Sequence, residues 1–149
     1  MDKKCSPEKA PRLRVVEQGE CADAAETAAR LAEHVGAEFG PRDEQPLSVF
    51  AHDEHGALVA GLNGVTHWRW LYVRNLWTDS ARRGQGLGAA LLAEAEARAR
   101  QRGCVGAYID TFDPKAAAFY EKRDFVRFGE IAGFPPGAQR IFLMKRFVD

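Results

Sequence analysis

Apolar positions along the chain recur with two different periods, and the switches between them outline the elements. From Ala22 to Phe39 an alanine-rich stretch carries Leu31 and Val35 four apart, as an amphipathic helix requires, and Gly40-Pro41 stops it. Leu47–Ala51 and Ala57–Thr66 are short apolar runs that read as strands. Between them His52-Asp53-Glu54-His55-Gly56 offers the Asp and Gly of a hairpin turn. Trp70–Trp77 is aromatic and β-branched, and the short gap after Thr66 predicts a second hairpin, so the first half is antiparallel. The helical period returns at Leu87, Leu91, Ala95 and Ala99 and ends at Gly103, after which Val105–Thr111 reads as a strand. Asp113-Pro114 has the form of an N-cap followed by proline at the first helical position, opening a short helix with Ala116, Phe119 and Tyr120. Phe125–Ile131 and Arg140–Phe147 close as strands around the stiff loop Phe134-Pro135-Pro136-Gly137. Ahead of the first helix, Leu13–Val16 is expected to form a short strand.

The 149 residues suit one domain. Residues 1–11, with two prolines and five charges, are expected to be a flexible leader, leaving 12–149 as a single domain. Lys plus Arg and Asp plus Glu number 21 each, so the basic excess of a phosphate-backbone ligand is missing and nucleic acid is not an expected partner. No apolar run approaches the roughly 20 residues of a membrane span, and the polar start has no signal-peptide core, which predicts a cytoplasmic protein without a membrane partner. Cys5, Cys21 and Cys104 are widely spaced and read as reduced thiols. His52 and His55 lack an evident third ligand, so no metal is expected.

Chemistry concentrates in Arg82-Arg83-Gly84-Gln85-Gly86-Leu87-Gly88, between a predicted strand and a predicted helix. Alternate glycines let the backbone approach a ligand closely, and the free amides and dipole of a helix start attract an anion. Pyrophosphate is the natural guest, with Arg83 as a charge-assisted donor. Gly84-x-Gly86-x-x-Ala89 also satisfies the loose dinucleotide fingerprint, with Asp110 ending the next strand as a ribose-binding acid. That fingerprint normally opens a series of parallel βαβ units, whereas here about 80 residues with antiparallel hairpins precede it.

Arg83-Gly84-Gln85-Gly86-Leu87-Gly88 resembles the R-x-x-G-x-G motif of the GNAT superfamily of acetyl-CoA-dependent N-acetyltransferases, and Phe119-Tyr120-Glu121-Lys122-x-x-Phe125 is similar to its second motif. The resemblance covers roughly residues 12 to 148. It implies an α/β (α+β) fold: a GNAT-like mixed, mostly antiparallel central sheet with helices on both faces. It further implies acetyl-CoA as cosubstrate, held by Leu76, Trp77, Thr78, Arg83, Gly84, Gln85, Gly86, Leu87, Gly88 and Ala89. The implied partner is a small-molecule amine acceptor, and a homodimer is allowed. In the implied mechanism a neutral amine attacks the thioester directly, a backbone amide at Trp77 or Thr78 stabilises the oxyanion, and Tyr120 is the general acid. Relatives often carry a carboxylate base in the middle of the strand that here holds Tyr72 and Arg74. Those two side chains are therefore expected to bind the acceptor, with Arg74 sharing a face with Tyr72, Leu76 and Thr78 and either pairing with Asp110 or receiving an anionic group. Asp110 and His67 are the candidate bases. Asp124 stands where the family commonly has Gly, and Asp113 where many members have Asn. A protein that binds acyl-CoA without turnover is the second class of reading.

Overall fold

The computed structural model describes residues 10–148, so most of the expected leader, with Cys5, lies outside the described residues. The chain divides at Gly40–Pro41 into two compact units. The first holds helix α1 (Ala22–Phe39), which ends where Gly40 takes φ 85° and returns its amide to the Gly36 carbonyl at 3.0 Å. The strand expected at Leu13–Val16 is not formed, and Leu13 and Val15 are exposed. The physical reason is the missing neighbour: among the described residues this unit contains no other strand to complete a hydrogen-bonded ladder.

The second unit runs β1 (Gln45–His52), β2 (Leu58–His67), β3 (Trp70–Thr78), α2 (Leu87–Gln101), β4 (Gly106–Thr111), α3 (Pro114–Glu121), β5 (Val126–Ala132) and β6 (Gln139–Arg146), with a short 3-10 turn at Ser80–Arg82. The sheet order is β1-β2-β3-β4-β6-β5, and only β3 and β4 run parallel, joined through α2 as parallel neighbours must be. The β1–β2 turn is organised by Asp53, whose Oδ1 accepts the amides of His55 and Ala57 at 2.9 and 3.0 Å. Those bonds, the Ala57 amide first, hold its carboxyl below the ordinary range.

Leu91, Leu92, Ala95 and Ala99 of α2 and Ala117 and Tyr120 of α3 merge with Leu62, Leu71, Val73, Ala107, Ile109, Ile141 and Leu143 into one core. Side chains alternate along a strand, so Tyr72, Tyr108, Asp110 and Phe142 turn to the other face of the sheet and are only partly buried. Full burial of each leucine contributes about 1.5–3 kcal/mol, and Leu62, Leu71, Leu92 and Leu143 are all essentially inaccessible. Lys145 of β6 and Glu96 of α2 are tied at 2.9 Å beside this core.

The register of β2 against β3 slips once: Asn63 faces Asn75 and Gly64 faces Val73, so Arg74 is the extra residue of a β-bulge. Gly64 is required opposite it, because an added Cβ would come within 2.7 Å of the Tyr72 carbonyl oxygen. The bulge reverses the alternation beyond it. Leu76 accordingly packs against the core with Leu71 and Val73, while Arg74 and Asn75 are exposed. The expectation that Arg74 shares a face with Leu76 and Thr78 is thereby corrected, the extra backbone residue being the cause.

Candidate active site

The site begins where β3 and β4 part. Their ladder runs only from Trp70–Gly106 to Val73–Ile109, so the remainder of β3 keeps β2 as its partner, while Asp110 and Thr111 keep β6. A cleft of about 680 Å³ occupies the helix side of the opening. Leu76, Trp77 and Thr78 form one wall, Arg82, Arg83, Gly84 and Gly86–Ala89 another, and Asp113, Lys115, Ala116, Phe119, Tyr120 and Arg123 the third. Of the residues expected to hold a coenzyme, Gln85 alone does not line it.

Gly86 is the N-cap of α2, with φ 80° and no side-chain cap. The first intrahelical bond runs from Ala90 to the Gly86 carbonyl, so the amides of Leu87, Gly88 and Ala89 have no acceptor within the helix. Gly84 takes φ 79°, and a Cβ at Gly84 or Gly86 would meet open space, which suits a left-handed turn that keeps its surface clear for a ligand. The helix end is thus an anion receiver by both geometry and dipole. Arg82, Arg83, Lys115 and Arg123 add four cations around the cleft against the single carboxylate of Asp113. Asp113 is itself committed as the N-cap of α3, accepting the Lys115 amide at 2.9 Å. Arg123 donates to the Phe119 carbonyl at 2.8 Å and covers that ring at 3.7 Å. Lys115, Ala116, Phe119, Tyr120 and Arg123 recur every three to four residues, a helical periodicity that signals one shared face. The cationic pair within that set is the part missed from sequence.

Tyr120 is 4% exposed, wedged edge-on between Phe119 and Phe125 with centroids at 5.2 and 5.5 Å. Burial pushes its phenol far above the ordinary value, so the hydroxyl keeps its proton at any working pH. Among the described residues that hydroxyl has no hydrogen-bond partner, although it borders the cleft. Asp124 takes φ 69°, the left-handed conformation the family's Gly adopts easily, and lets the Phe125 amide return to the Tyr120 carbonyl at 3.2 Å.

A second group of side chains occupies the opposite face at the fork of the two strands. Tyr72 donates its hydroxyl to Asp110 Oδ1 at 3.0 Å, and Arg140 binds Asp110 Oδ2 through Nε at 2.7 Å and through a second guanidinium nitrogen. The Tyr72 ring stacks on Tyr108 at 4.7 Å, and the Tyr108 hydroxyl meets His67 Nε2 at 2.8 Å. Burial, first, and the bond to Asp110 push the Tyr72 phenol up. Burial and then the Arg42 charge push the His67 imidazole down, and its Nδ1 is buried with no hydrogen-bond partner among the described residues. The proposed Arg74–Asp110 pair is not formed: Asp110 has Arg140, and Arg74 lies 3.8 Å from Glu44, which also takes Arg42 at 2.9 Å. Trp77 borders the cleft, whereas Trp70 packs over Gly106 beneath the Arg146 guanidinium.

A helix end open to anions, set at a fork in a mostly antiparallel sheet, defines a class of coenzyme-handling α/β protein. Residues 16–125 match the acetyltransferase (GNAT) family, and the chain belongs to that family. An acetyltransferase of Agrobacterium fabrum is 41% identical over 111 residues, 74% of this chain and 81% of the relative. A blasticidin-S acetyltransferase of Streptomyces morookaense is 41% identical over 107 residues, 69% of this chain and 79% of the relative. An acetyltransferase crystal structure from Bacillus cereus superposes with a TM-score of 0.83 over 90% of this chain and 98% of its own, at 24% identity, a likeness of fold.

Proposed function

We propose that the protein is an acetyl-CoA-dependent N-acetyltransferase acting on the primary amine of a small molecule. The observation that carries this reading is the uncapped start of α2, whose free amides face a cleft ringed by four cations and floored by a buried, protonated Tyr120. That donor set fits a coenzyme with a pyrophosphate: Gly84–Ala89 supply amides, Arg83 a guanidinium, and Lys115 and Arg123 further charge. Leu76, Trp77 and Thr78 lie along the neighbouring wall, where a pantetheine arm suits an exposed strand edge. The blasticidin-S acetyltransferase relative supports a small-molecule acceptor.

Bound acetyl-CoA supplies an activated acetyl thioester, from which the acyl carbon exchanges its sulfur for the amine nitrogen. The chain's own groups supply the rest. A backbone amide at Trp77 or Thr78, beyond the bulge, donates to the developing oxyanion. Tyr120 presents its Oη proton toward the departing sulfur, so the thiol leaves neutral, and the one proton the amine releases passes through solvent and restores the phenol. Among the described residues no helix is long and apolar enough to cross a membrane.

The test is a turnover assay with acetyl-CoA and a panel of primary amines (methylamine, lysine, spermidine and blasticidin S), read by mass spectrometry of the products. An N-acetylated product and free coenzyme A in equal amounts are expected. Acetyl-CoA binding without turnover of any amine supports instead a protein that only holds acyl-CoA, and binding of NADH in its place supports the dinucleotide reading.

A further inference from the structure

Asp110 has the position expected of a base but not the freedom. Its carboxylate has two oxygens, and both are taken by side chains of the chain itself: Oδ1 by the Tyr72 hydroxyl at 3.0 Å and Oδ2 by Arg140. The carboxylate side chain is 13% exposed, so proton abstraction would break a shielded ion pair. Arg140 is fixed in turn, its guanidinium carbon lying 5.0 Å from the Phe112 ring and 4.9 Å from the Phe134 ring, which meet edge to face. Tyr72 is held on its other side by the stacked Tyr108 ring. A phenol has one hydrogen and two lone pairs, and here the hydrogen is committed to Asp110. What Tyr72 offers a ligand is therefore an acceptor oxygen, and the natural complement is an N–H.

The place of this oxygen matters as much as its chemistry. Tyr72 sits in the last two rungs of the parallel ladder and Asp110 is the first β4 residue beyond it, so both stand at the fork where the strands part, on the sheet face opposite the helix-side cleft. We propose that Tyr72 Oη receives the N–H of the acceptor amine, and that Asp110 and Arg140 are positioning residues that aim it, Asp110 taking no proton. This deepens the acetyltransferase reading and rests on it.

Calorimetry and steady-state kinetics on the full chain with the same four amines separate the roles. For Tyr72→Phe and for Asp110→Asn the amine KM is expected to rise about tenfold, the worth of one hydrogen bond, with kcat within about threefold of wild type. Acetyl-CoA affinity should not move. Because the two act through one contact, the double variant should lose little more than either single one. Arg140→Lys should retain more amine affinity than Arg140→Gln, with thermal melts confirming that both fold. A base would behave oppositely: Asp110→Asn lowering kcat by about 10²–10⁴ with unchanged amine KM overturns the proposal. Additive losses in the double variant, or a coenzyme A-loaded wild type that binds none of the four amines, overturn it as well. Loss of acetyl-CoA binding by wild type would instead sink the enzyme assignment beneath it.

Discussion

Gly86 and Tyr120 concentrate the argument because each has one property no substitute supplies. Gly86 holds φ 80° with open space where a Cβ would stand, so Gly86→Val combines a strained left-handed valine with a branched side chain in the ligand's approach. Coenzyme binding measured by calorimetry should be abolished in a variant that still melts cooperatively, and retained affinity would displace the pyrophosphate from this turn. Tyr120→Phe removes one hydroxyl and leaves the edge-on contacts with Phe119 and Phe125 in place. The expected outcome is a kcat lower by roughly 10 to 1,000-fold with KM for acetyl-CoA little changed, the pattern of an interaction made in the transition state. Equal kcat would return the residue to packing. Both positions were legible in the sequence, since glycine spacing and the Phe119-Tyr120 motif are local. The Asp110–Arg140 pair was not, because its members are 30 residues apart and on strands whose pairing no local pattern specifies. Lys115 and Arg123 escaped notice for another reason: charges on a short helix, or just past its end, ordinarily face solvent.

The two helices of the sheet unit start in opposite ways. α3 is capped by its own Asp113, and Asp113→Ala should lower stability by about 1 kcal/mol, read from denaturant unfolding. α2 has no such side chain, and a carboxylate placed at its N-cap would compete for the amides that face the cleft. Gly88, just inside α2, has a helical backbone and nothing closer than 3.5 Å to an added Cβ, so it lacks the constraint that Gly86 carries. Gly88→Ala should be neutral or stabilising by up to about 1 kcal/mol in the same experiment. Element identities and order were readable because hydrophobic period and turn chemistry agree through residues 45–146. What the period could not show was its own interruption: the Arg74 bulge adds one residue to β3 and turns Leu76 to pack against the core. Leu13–Val16 failed for the converse reason, having strand composition without a neighbouring strand in its unit.

Across the molecule, protonation and ligand occupancy enter the folding equilibrium. Burial holds the His67 imidazole below its ordinary 6.5, so the fold favours the neutral ring. The stability this group contributes is fully present above 6.5 and is lost as the pH falls below it. His67→Gln, which keeps a donor beside Tyr108, should flatten that acid-side decline, and pH-dependent thermal melts of the two proteins would show it. Parallel melting curves would mean that the ring is not appreciably desolvated. The bare start of α2 has a related thermodynamic meaning. A helix that leaves its terminal amides to be satisfied from outside is complete only when occupied, so the ligand becomes part of the reversible folding reaction. By mass action, a coenzyme at 100 times its Kd adds about 2.7 kcal/mol to unfolding free energy, and the melting temperature should climb with its concentration. On the proposed acetyltransferase reading, turnover would exchange one coenzyme species for another in that cleft, and the protein's resistance to heat and proteolysis would then gauge the acyl-carrier pool around it.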